Sequence, residues 1–444
     1  MSENSRPKRY FGWHFRIMRF LGLGWWHHPD EDNTENFPGW YLYYSILTQI
    51  VCVAGFVSLE TIDPFVGTMD MDRFMFSISF VITHNLTIIK ASIFFLKNGD
   101  LQAIARTLEI EMYDYYQNEA KNRATVKFTK IMSGSFVFFG WMTILNTDVY
   151  GIIQDSRWKS VVANLNDSSP RPFRALPHSI YIPWDYQREL PFILTFILET
   201  VGLLWTGHIV LITDTLIATI ILHMSAQFET LNEAVITAYD RTMRSLRQGL
   251  HHDADNVQDG DSNVSDTEDS DEKIVKSLLT EEEIEIALRT TFKNCFRQHQ
   301  VLINCVQKFS NAYSYGFVTQ LLSSTTAICA VMVQISQDAS SLKSVKLVTS
   351  IAFFAAMIIQ LAIQCFTGNE LSLQAAGISD AVMQSKWERV PARLRRLLLM
   401  MMVRAQRPLR LTAAGFAQID NMCFVAIMKA AYSYYAVLGQ TVEK

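Results

Sequence analysis

Ionisable side chains inside long apolar stretches are the residues of this sequence best suited to do chemistry. Seven of them stand out: Lys90, Lys130, Asp148, Glu199, Asp214, Asp420 and Lys429. A charge inside a membrane span is costly, so it marks a functional path or a buried partner. Lys90, Lys130 and Asp148 lie near the ends of their stretches, where we expect them to snorkel to the interface. Glu199 and Asp214 lie about four turns apart on one helix, so we expect at most one at mid-membrane.

Recognised motifs of catalysis and metal binding do not occur in the sequence. It contains no Walker loop, GxSxG, HExxH or paired CxxC. His251-His252 stands alone in an acidic segment, and 259–263 lacks the ligand spacing of a calcium loop. The sequence therefore predicts no enzyme, no cofactor, no metal site and no nucleic-acid partner.

The composition is that of a protein whose main partner is membrane lipid. Of 444 residues, 49% are hydrophobic and 18% are charged, and the apolar residues are concentrated in long runs. The six cysteines lie in or beside these runs, so we expect no disulfide framework. Residues 1–39 have no apolar core with a cleavage site, so we expect the first span to direct insertion.

Seven apolar stretches predict seven transmembrane helices in an all-α polytopic membrane protein. Their bounds are Trp40–Leu59, Phe74–Leu96, Phe128–Ile153, Phe192–Met224, Phe309–Ile335, Val345–Phe366 and Ile419–Gln440. Helical patterns continue after the fourth span and before the fifth. We therefore expect long helical extensions of these spans into the cytosol.

Lysine and arginine counts in the connections set the predicted orientation. Residues 1–39 hold five basic residues, the second loop holds five and the loop before the last span holds eight. The first loop has one arginine among several acids. The N-terminus is therefore predicted to be cytosolic and the C-terminus extracellular, which is the reverse of a G-protein-coupled receptor.

The spans and connections divide the chain into six segments. They are 1–39 (cytosolic), 40–224 (helices one to four), 225–308 (cytosolic loop), 309–366 (helices five and six), 367–418 (cytosolic) and 419–444 (final helix). Residues 249–276 of the cytosolic loop are strongly acidic with almost nothing apolar, and this insert is predicted to be disordered.

The predicted extracellular loop 154–189 has four prolines and clustered aromatic residues. This composition fits an ordered lid and also an ordinary exposed connection. The loop contains a glycosylation sequon at Asn166, which the predicted orientation leaves open to modification.

A basic amphipathic segment precedes the final span and has the apolar run Leu397–Val403 at its centre. This run is too short to cross a membrane. It fits a helix on the inner leaflet or a helix packed in an oligomer. We expect a buried intracellular helix.

The final stretch, Ile419–Gln440, is unusually polar for a membrane span. Lys429, Ser433, Val437 and Gln440 fall along one helical stripe. Such a stripe indicates a helix that faces water or protein inside the membrane, or one buried among its neighbours. We expect Lys429 near the cytosolic end, paired with an acid or turned aside.

The C-terminal region also carries a recognisable signature. Its parts, in chain order, are CFTGNE (365–370), Trp387, Arg407-Pro408, Ala414-Gly415 and AYSYYAVLGQ (431–440). This order and spacing resemble the insect odorant receptors. The resemblance is specific over residues 360–444 and looser, but collinear, from about Gly12 onward.

The resemblance implies an odorant-gated, non-selective cation channel in the plasma membrane of a sensory dendrite. It implies a heterotetramer of odorant-tuning subunits and a common co-receptor, joined through a cytosolic anchor. The implied pore lining is Ser433, Val437, Gln440 and Thr441, with Val437 at the constriction. Gly439 and Thr441 stand where the co-receptor carries larger apolar residues, so the resemblance implies a tuning subunit.

The resemblance also implies an odorant pocket between the second, third, fourth and sixth spans. Suitable residues there are Phe80, Thr83, His84, Thr87, Met142, Asn146, Glu199, Leu203 and Phe353. An apolar cavity with a few polar groups suits a small volatile odorant. We favour His84 and Asn146 as contacts, because polar groups at that depth need a partner.

Two other classes stay open at this point, and so does the co-receptor itself, which Gly439, Thr441 and the acidic insert disfavour. A gustatory-type chemosensory channel would share the architecture, but it typically ends in a Thr-Tyr and Gln-Phe signature that this chain lacks. A G-protein-coupled receptor would have the opposite orientation.

Overall fold

The computed structural model describes residues 10–24, 26, 39–66, 71–164, 172–178, 180–254, 268–340 and 344–442. Within them the chain is almost entirely helical. The helices are α1 (Gly12–Phe20), α2 (Gly39–Thr48), α3 (Phe56–Val66), α4 (Met71–Leu96), α5 (Asn98–Glu109), α6 (Glu119–Ala163), α7 (Glu189–Ile236), α8 (Ala238–Ala254), α9 (Glu268–Leu278), α10 (Glu281–Ser340), α11 (Ser344–Gln384), α12 (Ala392–Ala405) and α13 (Asn421–Val442). The strands found in this part of the chain are β1 (Thr412–Ala413) and β2 (Ala417–Gln418), which pair antiparallel.

In the described part of the chain, six helices are long and apolar enough to cross a membrane. They span Gly39–Val66, Ser77–Leu96, Glu119–Ala163, Glu189–Ile236, Glu281–Ser336 and Leu347–Gln384. The first of them consists of α2 and α3, joined by a π-helical segment over Gln49–Gly55. The predicted seventh span is the 22-residue helix α13. The prediction of an all-α, multi-pass membrane protein is confirmed.

Several spans continue well beyond the roughly 20 residues that a bilayer requires. α7 has 48 residues, α10 has 60 and α11 has 41, so the predicted helical extensions exist. α7 lies at the centre of the bundle, packed against α4, α6, α10 and α11. From Ile209 to Ile221 every α7 residue except Val210 is buried, whereas the earlier turns leave one face exposed.

Two connections differ from the prediction. The first span does not end at Leu59, because α3 continues through Pro64 to Val66 and buries Glu60. On the other side, α6 extends to Ala163, so the first ten residues of the predicted loop 154–189 are helical. Asn166 lies outside the described residues.

The prediction that the acidic insert 249–276 is disordered is wrong at both ends of this range. α8 reaches Ala254, and α9 begins at Glu268. In α9, Val275 is fully buried, and Glu272 accepts hydrogen bonds from Lys276 (2.7 Å) and Arg389. The acidic composition of this segment gave no sign of the packed helix α9. Residues 255–267 lie outside the described part of the chain.

The expected buried helix at Leu397–Val403 is confirmed for one face only. Leu394, Leu398 and Met401 of α12 pack into the core. Leu399, Met400 and Val403 are about half exposed on the opposite face. The single subunit therefore leaves an apolar side of α12 uncovered.

The start of α13 explains several signature residues. Ala414 (φ 47°) and Gly415 (φ 78°) form the tight turn between β1 and β2. Gly368 of α11 lies against the backbone of Ile419, where a Cβ atom would collide. Asp420 accepts a hydrogen bond from the Cys423 backbone N–H at 2.8 Å, so it caps α13 instead of lying at mid-membrane.

Candidate ligand cavity

A mainly apolar cavity of about 100 Å³ lies between α4, α6, α7 and α11. These helices are the second, third, fourth and sixth predicted spans. The lining consists of Phe80, Thr83, His84, Phe136, Gly140, Thr143, Ile144, Thr147, Leu203, Gly207, Val210, Leu211, Phe353, Ala356, Met357 and Gln360. An apolar wall with a few polar groups is the usual design of a small-molecule site.

Five of the nine predicted pocket residues line this cavity: Phe80, Thr83, His84, Leu203 and Phe353. The rings of Phe80 and Phe353 stack with centroids 4.5 Å apart, which joins α4 to α11. The Thr83 hydroxyl donates to the Phe80 carbonyl at 2.9 Å and so remains able only to accept. Donors and acceptors for a guest therefore come mainly from His84 and Gln360.

The other four predicted residues lie outside the lining. Thr87 donates to the Thr83 carbonyl at 3.4 Å, one turn further along α4. Met142 is 41% exposed on the outer surface of the bundle. Asn146 has found another partner, because its Nδ2 donates to Thr349 Oγ1 at 2.6 Å. Glu199 is fully buried in α7 but does not reach the cavity wall.

Two glycines that the sequence analysis passed over shape the cavity. A Cβ atom on Gly140 would lie 2.5 Å from Leu211 Cδ1, and one on Gly207 would lie 2.9 Å from Ile144 Cδ1. The close approach of α6 and α7 therefore depends on small residues. Glycine within an otherwise apolar span is the signal that would have pointed to them.

A network of polar side chains adjoins the cavity at Gln360; we call Lys90, Asp214, Gln360 and Gln364 the floor network. Lys90 Nζ donates to Asp214 Oδ1 at 2.5 Å, and both side chains are buried. Gln364 Nε2 donates to Asp214 Oδ1 at 3.2 Å, and Gln360 donates to Oδ2. The expectation that Lys90 snorkels is therefore wrong, because the buried carboxylate compensates its charge.

The connection between α6 and α7 packs against the end of α3 and the start of α7; we call residues 172–178 and 180–188 the lid segment. Arg174 lies over the Phe192 ring at 3.6 Å and pairs with Asp155 (2.7 Å) and Glu189 (3.0 Å). Tyr181 N–H donates to the Leu59 carbonyl at 3.1 Å. These contacts show that the described part of the connection is ordered, and its role as a lid stays a prediction.

His178 of the lid segment and His84 of α4 both bind the buried carboxylate of Glu60 in α3. Glu60 of α3 hydrogen-bonds His84 Nδ1 (2.7 Å) and His178 Nε2, and we call these three residues the lid triad. The His178 ring also contacts Phe80 edge-on with centroids 4.6 Å apart. The lid triad therefore touches the cavity through both His84 and Phe80.

α13 packs against α10 and α11 with one face and leaves the other exposed. Ile427 and Ala431 are buried, whereas Ser433 and Val437 are exposed. Lys429 is also exposed, and no acid in the described part of the chain pairs with it. The side chains of Gln440 and Thr441 lie outside the described residues.

One hydrophobic cluster connects the cavity to α13. Phe80, Phe353 and Met357 of the cavity wall belong to the same buried cluster as Ile427 and Ala431. α11 provides the continuous element, because Leu361 and Cys365 in this cluster are also its residues. A change in the cavity wall is therefore one packing layer from the final helix.

Comparisons with known proteins agree with this arrangement. A family model described as 7tm Odorant receptor matches residues 70–432. Odorant receptor Or1 of Anopheles gambiae is 20% identical over 425 residues, which cover 95% of this chain and 93% of that protein. Odorant receptor 22c of Drosophila melanogaster is 26% identical over 157 residues, which cover 35% of this chain and 38% of that protein. Matches to five further Drosophila receptors likewise span only 34–38% of their lengths.

The fold is also that of a solved receptor. The olfactory receptor OR5 of Machilis hrabei superposes with a TM-score of 0.70 at 14% identity, over 97% of this chain and 98% of that chain. The structure of that receptor in complex with eugenol superposes equally well. Since the family model covers most of the sequence, the chain belongs to the 7tm odorant receptor family.

Proposed function

We propose that this protein is an odorant-tuning subunit of a ligand-gated, non-selective cation channel. The observation that carries the proposal is the cavity between α4, α6, α7 and α11, whose wall shares a hydrophobic cluster with α13. A guest that changes the packing of this wall acts on the final helix through α11. Ligand binding is then coupled to pore opening because the cavity and α13 share one packed core.

The ligand is a small volatile molecule held by Phe80, Thr83, His84, Leu203 and Phe353. Aromatic rings and aliphatic side chains supply most of the contact area, and His84 and Gln360 orient a polar group. Eugenol, bound by the Machilis hrabei receptor, is an example of this ligand class. Thr87, Asn146 and Glu199 support the pocket from behind, whereas Met142 faces lipid.

The pore is formed by α13 from four subunits, including a co-receptor. Ser433 and Val437 lie on the exposed face of α13, which needs partners or water inside a membrane. Val437 forms the constriction, with Gln440 and Thr441 at the mouth. The uncovered face of α12, with Leu399, Met400 and Val403, supplies the contact between subunits on the cytosolic side.

The proposed location is the plasma membrane of a sensory dendrite, with a cytosolic N-terminus and an extracellular C-terminus. An epitope tag after Lys444 is expected to bind antibody on intact cells. Staining only after permeabilisation would contradict this orientation and favour that of a G-protein-coupled receptor.

The central experiment is a recording from cells that express this chain with and without an olfactory co-receptor, across a broad panel of volatiles. We expect odorant-evoked cation currents only with the co-receptor. Currents without it would favour a self-assembling, gustatory-type channel. Surface expression without current to any volatile would contradict the proposal.

A pair of variants tests whether the cavity binds the ligand. Phe353→Ala is expected to raise the half-maximal concentration at least about tenfold, because burying such a ring contributes about 1.5–3 kcal/mol. Met142→Ala, on the outer surface, is the matched control and should leave it unchanged. Equal responses of the two variants at equal surface abundance would exclude this cavity as the binding site.

A further inference from the structure

We propose that the lid triad, Glu60, His84 and His178, is a binding site for a divalent transition-metal ion of the Zn²⁺ class. The sequence predicts no metal site here, because Glu60 lies 24 residues from His84 and 118 from His178. Only the fold brings the three together. The site stands apart from the proposed channel function, since its test measures metal directly.

The geometry supplies three ligand atoms at one point. His84 Nδ1 lies 2.7 Å from Glu60 Oε2, and His178 Nε2 contacts Glu60 Oε1. One ligand atom from each residue lies within 4.8 Å of the other two. Ligand atoms of a tetrahedral zinc site are roughly 3.3 Å apart, so both nitrogens must move away from the Glu60 oxygens that they now hydrogen-bond. His178 lies in the lid segment, which is not part of a helix and can supply this movement.

The charge around the triad favours a cation. Glu60 is fully buried, and the two histidine side chains are at most 10% exposed. Neither Glu60 nor the nearby Glu199 pairs with a lysine or arginine in the part of the chain that the structure describes. A buried carboxylate needs compensating charge, and a dication supplies it at the atoms that converge there.

The donor set selects the metal. Two imidazole nitrogens and one carboxylate oxygen match zinc sites that keep a fourth position for water or a guest. Imidazole also suits Cu²⁺ and Ni²⁺, whereas Ca²⁺ and Mg²⁺ prefer oxygen ligands alone. Coordination requires neutral imidazoles that carry their hydrogens on His84 Nε2 and His178 Nδ1.

A bound ion would clasp the lid segment to α3 and α4. His84 forms part of the cavity wall, and His178 contacts Phe80. The ion would therefore fix the lid segment beside the cavity wall at Phe80 and His84. In this way metal occupancy regulates access to the cavity.

The test uses the purified full chain and Co²⁺ as a spectroscopic substitute for Zn²⁺. We expect one Co²⁺ per chain, with visible absorption bands of tetrahedral intensity that Zn²⁺ abolishes. Glu60→Gln keeps the volume of the side chain but replaces the charged carboxylate with a neutral amide that has one acceptor oxygen, and it should weaken binding at least about tenfold. His208→Ala is the matched control, because His208 contacts Trp141 on the other side of α7 and should bind as the wild type does.

A second variant guards against loss of folding. His178→Cys replaces one nitrogen with a thiolate and should add a sulfur-to-cobalt charge-transfer band that the wild type lacks. Size-exclusion profiles confirm that each variant is folded. The proposal is overturned if the wild type takes up no stoichiometric Co²⁺, if Glu60→Gln binds as tightly as the wild type, or if His178→Cys shows no new band.

Discussion

Two buried carboxyl groups on α7 have opposite surroundings. Asp214 accepts hydrogen bonds from Lys90, Gln360 and Gln364. Glu199 lies 15 residues earlier, or about 22 Å along the helix, and no described side chain hydrogen-bonds either of its carboxyl oxygens. The charged groups that act on Glu199 are themselves acids: Asp148, Glu60 and Asp63.

The different surroundings of Asp214 and Glu199 divide α7 into a part that holds the bundle together and a part that does not. At Asp214 the charge is matched within the protein, so the floor network holds α4, α7 and α11 together whatever the cavity contains. Near Glu199 the charged groups are acids, and no lysine or arginine in the described part of the chain pairs with it, so this part of α7 lacks such an ion pair. Substitutions at the two positions should therefore have very different effects.

The largest expected effect belongs to Asp214→Ala. This change leaves Lys90 buried without a carboxylate, which destabilises a protein by about 3–5 kcal/mol. We expect a strong loss of surface abundance and a lower unfolding temperature in detergent. The double variant Lys90→Met/Asp214→Leu removes both charges and should recover most of the loss. A single variant as stable as the wild type would mean that the ion pair does not hold the bundle.

Gln360→Leu should have a moderate effect on two properties. It removes a hydrogen bond to a charged group, worth about 1.5–3 kcal/mol, and it also makes the cavity wall less polar. Gln364→Leu is the matched control, because Gln364 contacts Asp214 but does not line the cavity. Both variants should lower the unfolding temperature, and only Gln360→Leu should change the order of odorant potencies.

Glu199→Gln should change stability by no more than about 1 kcal/mol, since no side-chain hydrogen bond is lost and a buried acid is removed. Asp214→Asn is the isosteric comparison and should be clearly less stable. Thermal unfolding of the two variants in one detergent measures the difference. Equal losses would show that the two carboxyl groups are equally well matched.

The smallest effect is expected at Glu272, a partnered carboxylate outside the membrane spans. Partial burial raises the pKa of Glu272, but hydrogen bonds from Lys276, Tyr239 and Arg389 outweigh it, so the pKa is lowered. A lowered folded pKa means that the interaction stabilises α9 above the ordinary glutamate pKa of about 4.3 and is lost as the pH falls through the folded value. Amide exchange in α9, corrected for intrinsic rate, should rise in that range, and Glu272→Gln should remove the dependence.

The helices of the bundle could be predicted from the sequence more completely than the residues of the site. Apolar length was sufficient to predict the long helices, because a membrane imposes a minimum apolar length on each span. Periodicity did not reveal that Lys90 meets Asp214, since these residues lie 124 positions apart and their pairing depends on helix rotation. The predicted first span ends at Leu59 and so leaves Glu60 in a connection, whereas α3 continues through Pro64 to Val66. The cavity helices came from family resemblance, whereas the glycines that shape the cavity needed coordinates.

The two halves of α7 are held to different extents by the surrounding helices. Its later half is encased by other helices from Ile209 onward, and its first 20 residues, about 30 Å, have one face free. A helix held in this way bends most readily where the surrounding helices begin to enclose it. That edge coincides with Gly207, Val210 and Leu211, which line the cavity. In the proposed function, a guest in the cavity would therefore contact α7 at the boundary between its partly exposed and its fully buried half.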